Sequence, residues 1–328
     1  MTRTTFMAAS IVLLVSGGYV NAQDNVYYFG WEYLKLDRSE SGDNSRDFIF
    51  SNNGGNNAQG VAISATDLDF SSQDAHRFTV GAHLSDDGRR IEGRFFWLTD
   101  WIGQTAAAGD FSLGTQLRNN DGGGNVAAIG NLRAITAVQA RRTSDLSGFE
   151  SNYYTSAYVA ENGRWRVNPM FGIRGFMLDE DLNMNMMSAG GAPVQYTSQA
   201  ENRLIGLQLG GELGFDIFSA LDLALITKGG VAVNSAKTQI NVNNASANNP
   251  DAPDDSETVL SPFAEIGVRT QLTLGDYVTL TAGYEAVMIS NVELGGVPND
   301  LFIFGADPVS PNDTVYYHGF NIGGLITY

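Results

Sequence analysis

Leu204-Ile205-Gly206-Leu207-Gln208-Leu209-Gly210-Gly211-Glu212-Leu213-Gly214-Phe215 reads as an extended strand with two unlike faces. Successive side chains on a strand point to opposite sides, so Ile205, Leu207, Leu209, Leu213 and Phe215 share one face. Gly206, Gln208, Gly210, Glu212 and Gly214 share the other. A soluble sheet would bury the apolar face and wet the polar one, whereas a membrane barrel would turn the apolar face to lipid. This strand alone leaves both open.

Its neighbours repeat the pattern. Leu221, Leu223, Leu225, Val231 and Val233 oppose Asp222, Lys228 and Asn234, and Leu260, Ala264, Ile266, Val268 and Leu272 oppose Ser261, Glu265, Arg269 and Gln271. Val278, Leu280, Ala282, Tyr284 and Met288 oppose Thr279, Thr281, Gly283 and Glu285, and Phe320, Ile322, Ile326 and Tyr328 oppose Tyr317, Gly319, Asn321, Gly323 and Thr327. Upstream, Tyr27, Phe29, Trp31 and Tyr33 alternate with Tyr28, Gly30 and Glu32. Phe78 and Val80 alternate with Arg77 and Thr79, Ile91, Phe95 and Trp97 with Glu92 and Arg94, and Phe171, Ile173 and Met177 flank Arg174. Isolated charges among small residues suit a crowded, wet interior.

The connections favour the barrel. Arg38–His76, Gly103–Leu146, Asp181–Asn202, Asn241–Thr258 and Ile289–Thr314 are long; Asp86–Gly88, Glu161–Gly163, Asp216–Ala220 and Leu274–Asp276 are short. Long and short alternate strictly, as in up-and-down outer-membrane barrels with short periplasmic turns and long extracellular loops. The fold expected is therefore all-β, an antiparallel transmembrane barrel of about 10 strands, with 12 if Gly103–Leu146 hides a further hairpin. An even count brings both ends to the periplasmic side.

Residues 1–22 carry the plan of a secretory signal peptide: Arg3, the apolar run Phe6–Val15, and Val20-Asn21-Ala22 before cleavage. That apolar run is too short for a spanning helix. Residues 23–328 are read as one barrel domain, destined for the outer membrane of a Gram-negative-type envelope. Cysteine is absent, and the net charge is −17. The acids crowd Asn/Asp/Gly/Ser segments that read as solvated loops, and this balance argues against nucleic acid, which needs a basic footprint.

Several stretches resemble the porin-like outer-membrane barrels of the planctomycete type, related to Legionella-type pore-forming outer-membrane proteins. They are Phe29-Gly30-Trp31-Glu32-Tyr33-Leu34, Phe171–Glu180, Leu280-Thr281-Ala282-Gly283-Tyr284-Glu285 and Tyr316-Tyr317-His318-Gly319 through Tyr328. The closing row Phe320, Ile322, Ile326 and Tyr328 is similar to the terminal signal read by barrel-assembly machinery, which implies that machinery as a partner.

Chemistry-bearing motifs are sparse. His76, His83 and His318 lack metal-site spacing, and Asp74 with His76, or Ser85 near His83, are the only local candidates for catalysis. Asn119–Asn125 lacks the Lys and Ser/Thr of a phosphate loop and the closing Glu of a calcium loop. No catalytic residue, cofactor or metal is therefore expected. The functional question lies with the charges on the predicted lumen face: Glu32, Arg77, Glu92, Arg94, Arg174, Glu212, Lys228, Glu265, Arg269 and Glu285. Either they line a passive channel for ions or small polar solutes, or they pair and plug it. The first expectation is a porin-like channel. The alternative is a non-conducting structural or surface-interaction barrel acting through acidic outer loops, and a barrel hydrolase comes third. Lipid of the outer membrane is the common partner, with oligomeric state open.

Overall fold

The computed structural model describes residues 26–41, 47–51, 60–64, 68, 70–113, 135–161, 163–188, 193–244, 254–295, 309 and 311–328. The expected signal peptide and the Asn119–Asn125 segment lie outside them. Among the described residues, fourteen strands form one antiparallel sheet. In chain order they are β1 (Val26–Ser41), β2 (Asp47–Ser51), β3 (Gly60–Ser64), β4 (Gln73–His83), β5 (Arg90–Leu98), β6 (Trp101–Leu113) and β7 (Ile135–Tyr154). Then come β8 (Tyr158–Val159), β9 (Trp165–Ser188), β10 (Pro193–Phe218), β11 (Leu221–Asn244), β12 (Asp254–Leu274), β13 (Val278–Val292) and β14 (Asp313–Thr327).

The sheet closes. β1 pairs with β14 from Tyr28↔Thr327 to Ser41↔Thr314, and β7 pairs directly with β9, with the small β8 continuing it along the same side of β9. β5 and β6 follow one another along the same side of β7, so they act as a single stave with a break at Thr99-Asp100. The barrel therefore has ten staves, running up and down, with β2 and β3 as an extra hairpin hung on the end of β6. Closure satisfies every stave's backbone laterally, which a sheet in lipid requires.

Two expectations are corrected here. Among the described residues of Gly103–Leu146 no extra hairpin enters the ring; they hold β6 and the first half of β7, which pair with each other. The stretch Asp181–Asn202 is not a long loop either, since β9 runs to Ser188 and β10 starts at Pro193, in register down to Pro193↔Met187. β11 and β12 likewise reach into Asn241–Thr258. The short turns match the sequence reading, with Gly88, Gly163 and Gly275 at φ of 90°, 69° and 67°, a region that only glycine enters without strain.

The long staves are taller than a membrane. On β10, Ile205, Leu207, Leu209, Leu213 and Ile217 are exposed apolar side chains, and the outward positions above them are Gln195, Thr197, Gln199, Glu201 and Arg203. At about 3.3 Å per residue and a tilt of about 40°, the apolar part spans about 30 Å along the barrel axis. The same change falls on neighbouring staves along the pairs Asp179↔Glu201, Arg203↔Ser235 and Ser235↔Thr258. An apolar band thus girdles the turn end. A polar-faced extension rises from the loop end.

The turn rim carries the aromatic edge of this band. Tyr27 stacks on Tyr328 at 6.1 Å while their backbones exchange two hydrogen bonds, and Trp165 meets Phe215 at 4.5 Å.

Candidate functional site: a paired and filled lumen

Inside the band, alternation aims one side chain in two at the axis, and there the sequence supplies charge. All ten residues expected on the lumen face point inward and are joined by ion pairs. Arg77 binds Glu32 at 2.6 Å and Glu285 at 2.7 Å, and Arg269 binds Glu212 at 2.9 Å. Arg94 binds Glu92 at 2.8 Å, Arg174 binds Glu265, and Lys228 binds Glu265 at 3.0 Å. Two further members were missed. Arg90 binds Glu212 at 2.6 Å, and Glu150 accepts from Lys228 at 2.9 Å with Arg94 at 3.4 Å. Their parity on β5 and β7 could have found them: Arg90 precedes Glu92 by two, and Glu150 sits opposite Arg94.

With those two, six carboxylates meet six cations, so this layer is neutral in a chain of charge −17. Neutral donors complete it. Tyr28 donates to Glu92 at 2.9 Å, Gln208 to Glu150 at 3.1 Å and to Asn152 at 2.6 Å, and Asn321 to Glu285 at 3.2 Å. The Arg90 guanidinium lies 3.6 Å from the centre of the Tyr154 ring. Taking ions out of water costs several kcal/mol each unless partners and hydrogen bonds replace the hydration, and this layer supplies both.

Above the charges lies an apolar septum. Leu34 and Leu36, Ala75, Leu98 and Trp101, Leu146, Phe176 and Leu178, Leu204, Ala232, Phe263, Ile289 and Val315 come from every one of the ten staves. Phe176 meets Phe96 at 6.3 Å and Phe263 at 5.5 Å, edge to face. A Cβ on Gly206 or Gly210 would stand 2.2 Å from a carbonyl oxygen of β11, so these glycines let the strands approach.

The segment after β13 enters the lumen at the same level. Asn291, at φ 56°, makes a bulge between the pairs Ser290↔Thr314 and Val292↔Asp313, and beyond Val292 the chain turns into the lumen toward Asn202. Asn202 holds the backbone of Glu293 from both sides, donating to its carbonyl at 2.6 Å and accepting from its N–H at 2.8 Å. Ser261 donates to the Asn291 carbonyl at 2.8 Å, and Leu294 joins the septum. Just above, Arg38 and Arg142 share Glu180 and Glu40, with Arg142 to Glu180 at 2.8 Å and Gly295 N–H to Glu180 at 3.0 Å. A cleft of 740 Å³ does open near the loop rim, lined by Ala106–Ala108, Val138, Met186 and Val194 among others, but no charge of the network lines it.

The local catalytic candidates do not assemble. Ser85 hydrogen-bonds Asp87, with Arg89 at 3.0 Å, while His83 packs on Tyr28 at 5.2 Å. In that turn, hydrogen bonds from Ser85 and then Ser156 hold the Asp87 carboxyl well below the usual carboxylate range. Asp74 accepts from Tyr33 at 2.7 Å and Lys35 at 2.9 Å, while His76 stacks on Trp31 and lies tilted against Trp97. His318 shares a hydrogen bond with Tyr284 at 2.9 Å on the outer face. Among the described residues no three His, Asp or Glu side chains gather as metal ligands.

A closed antiparallel ring, an apolar outer band with aromatic edges and a charged interior define a transmembrane β-barrel of the outer-membrane type. No family model matches the chain, and no curated protein matches it. Solved structures similar to it are the outer-membrane protease OmpT from Escherichia coli (8% identity, 94% of this chain and 97% of that one, TM-score 0.39) and the translocator domain of the autotransporter NalP from Neisseria meningitidis (10%, 98% and 95%, 0.37). The toluene transporter TodX from Pseudomonas putida is a third (10%, 93% and 89%, 0.36).

Proposed function

We propose that this protein is a non-conducting outer-membrane barrel, which holds a tall, polar-faced extension clear of the membrane for structural or surface contacts. The observation that carries this is the septum contributed by all ten staves, backed on one side by a charge-neutral network and on the other by the inturned Asn291–Gly295 segment. A passive channel needs a continuous wet path, and ten staves enclose little more than side chains fill. The likeness to porin-like barrels of the planctomycete and Legionella types supports the location more than the pore. The outward row Phe320, Ile322, Ile326 and Tyr328 is the surface we assign to the assembly machinery.

Conductance of the refolded protein in planar bilayers tests this reading. The expected record has no unitary steps over a range of salt and voltage. Reproducible steps that scale with salt would restore the porin-like channel.

A further inference from the structure

The 740 Å³ cleft at the loop rim is built from three cross-strand rows that span β6, β7, β9 and β10. One outward row is Ala106, Gln139, Asn185 and Gln195, and the other is Ala108, Ala137, Met187 and Pro193. Between them Val138, Met186 and Val194 turn inward and are 3%, 3% and 2% exposed, so this row gives the cleft a floor of backbone. The cleft is therefore a groove on the outer face of the extension. At about 4.8 Å from strand to strand it runs about 14 Å across four staves.

Its two walls differ. One carries three primary amides in adjacent register positions, each offering donors and an acceptor, and none of the three has a hydrogen-bond partner among the described residues. The other wall is methyl, thioether and proline ring. No charged side chain lines the groove, although the chain carries −17. The outward row below it is Gln104, Arg141, Asn183, Thr197 and Asn241, with Arg141 its one charge.

A matching ligand is neutral, with one edge of groups that both donate and accept and one apolar face. An ion would leave its hydration for a groove that offers no opposite charge. An extended peptide adds to a sheet through a free ladder edge, but the floor of this groove is paired laterally from β6 through β10. A pyranose chain fits, since each ring carries hydroxyls around its edge and C–H groups over its face.

We propose that this groove binds a stretch of neutral polysaccharide. Gln139, Asn185 and Gln195 bond the ring hydroxyls, and Met187 and Pro193 pack on the ring C–H face. The proposal rests on reading the extension as the contacting part of the molecule, and it names the partner.

Met187 is 42% exposed on the apolar wall, so its ¹³C-labelled methyl group, assigned by its loss in Met187→Leu, reports on the groove in the full refolded protein. Maltohexaose, cellohexaose, mannohexaose and isomaltohexaose serve as probes, with glucose, an oligogalacturonate and a neutral Ser/Gln hexapeptide beside them. At least one neutral hexasaccharide is expected to shift the Met187 methyl along a saturating curve, with glucose, the oligogalacturonate and the peptide inert. Asn185→Ala, at an exposed position, should weaken that binding about fivefold, the worth of one or two hydrogen bonds. The site is overturned by no shift with any of the four hexasaccharides, or by a curve that Asn185→Ala leaves unchanged. It is equally overturned if glucose, the oligogalacturonate or the peptide binds as well as the best hexasaccharide. Bilayer conductance separates this proposal from the non-conducting reading: a silent record without saccharide binding removes the groove alone, and channel steps with saccharide binding remove that reading alone.

Discussion

The lower and upper halves of β9, β10 and β11 are one continuous ladder with opposite chemistry. In the band, β10 turns Ile205, Leu207 and Leu209 outward and Gln208 and Glu212 inward. In the extension it turns Gln195, Gln199 and Glu201 outward and buries Val194, Tyr196 and Ala200. β9 does the same, with Phe171 and Ile173 outward below, Asp179 and Asp181 outward above, and Leu182, Met184 and Met186 buried. The backbone does not slip at the boundary; the register runs through it without a break. What changes is the solvent outside. Lipid selects an apolar outer face and permits a polar, paired interior, whereas water selects the reverse arrangement.

The contrast can be broken most severely from the interior. Glu150→Gln removes one charge from the balanced network and strands Lys228, which has 2.9 Å contacts to Glu150 and keeps only Glu265. Breaking a buried pair on one side typically costs about 3–5 kcal/mol. Denaturant titration of the protein refolded in lipid vesicles should show that loss; a change under about 1 kcal/mol would mean the layer is hydrated rather than buried.

A smaller effect separates the two outer faces directly. Leu207, 71% exposed in the band, changed to Arg should lose about 2–4 kcal/mol in the same titration. Gln199→Arg, eight residues away by number on the same outward row, should stay within about 0.5 kcal/mol. Equal costs at both positions would place the membrane boundary wrongly.

Smallest is the pin between the halves. Asn202→Ala strips the Glu293 backbone of both its bonds to that side chain and should cost about 1–3 kcal/mol. Hydrogen exchange at Glu293 and Gly295 should accelerate while that of the band stays unchanged. If exchange there does not change, the inturned segment is held by the septum and not by Asn202.

Much of this was legible in the sequence, and the misses share a cause. The band strands were readable because outward apolar positions recur every second residue, and that parity also put Glu32, Arg174 and Glu265 on the inner face. Between Asp181 and Asn202 the alternation continues but its sense inverts, so apolar residues move to the even positions Leu182, Met184, Val194 and Tyr196. Such an inversion reads as lost parity, and hence as a loop. Arg38, Arg142 and Glu180 were invisible as a group for the same reason, since each lies in or next to a stretch taken for a connection.

The sequence by itself determined that the chain forms two-faced strands, joined on one side by short turns, with an apolar face of membrane length. Periodicity and glycine turns are local, so they survive in one dimension. Only the tertiary structure decided what fills the lumen. Whether an inward Glu meets an Arg, whether ten staves each place an apolar group at one height, and whether Asn291 turns the chain into the barrel all depend on the stagger of strands around a closed ring, which no single strand encodes.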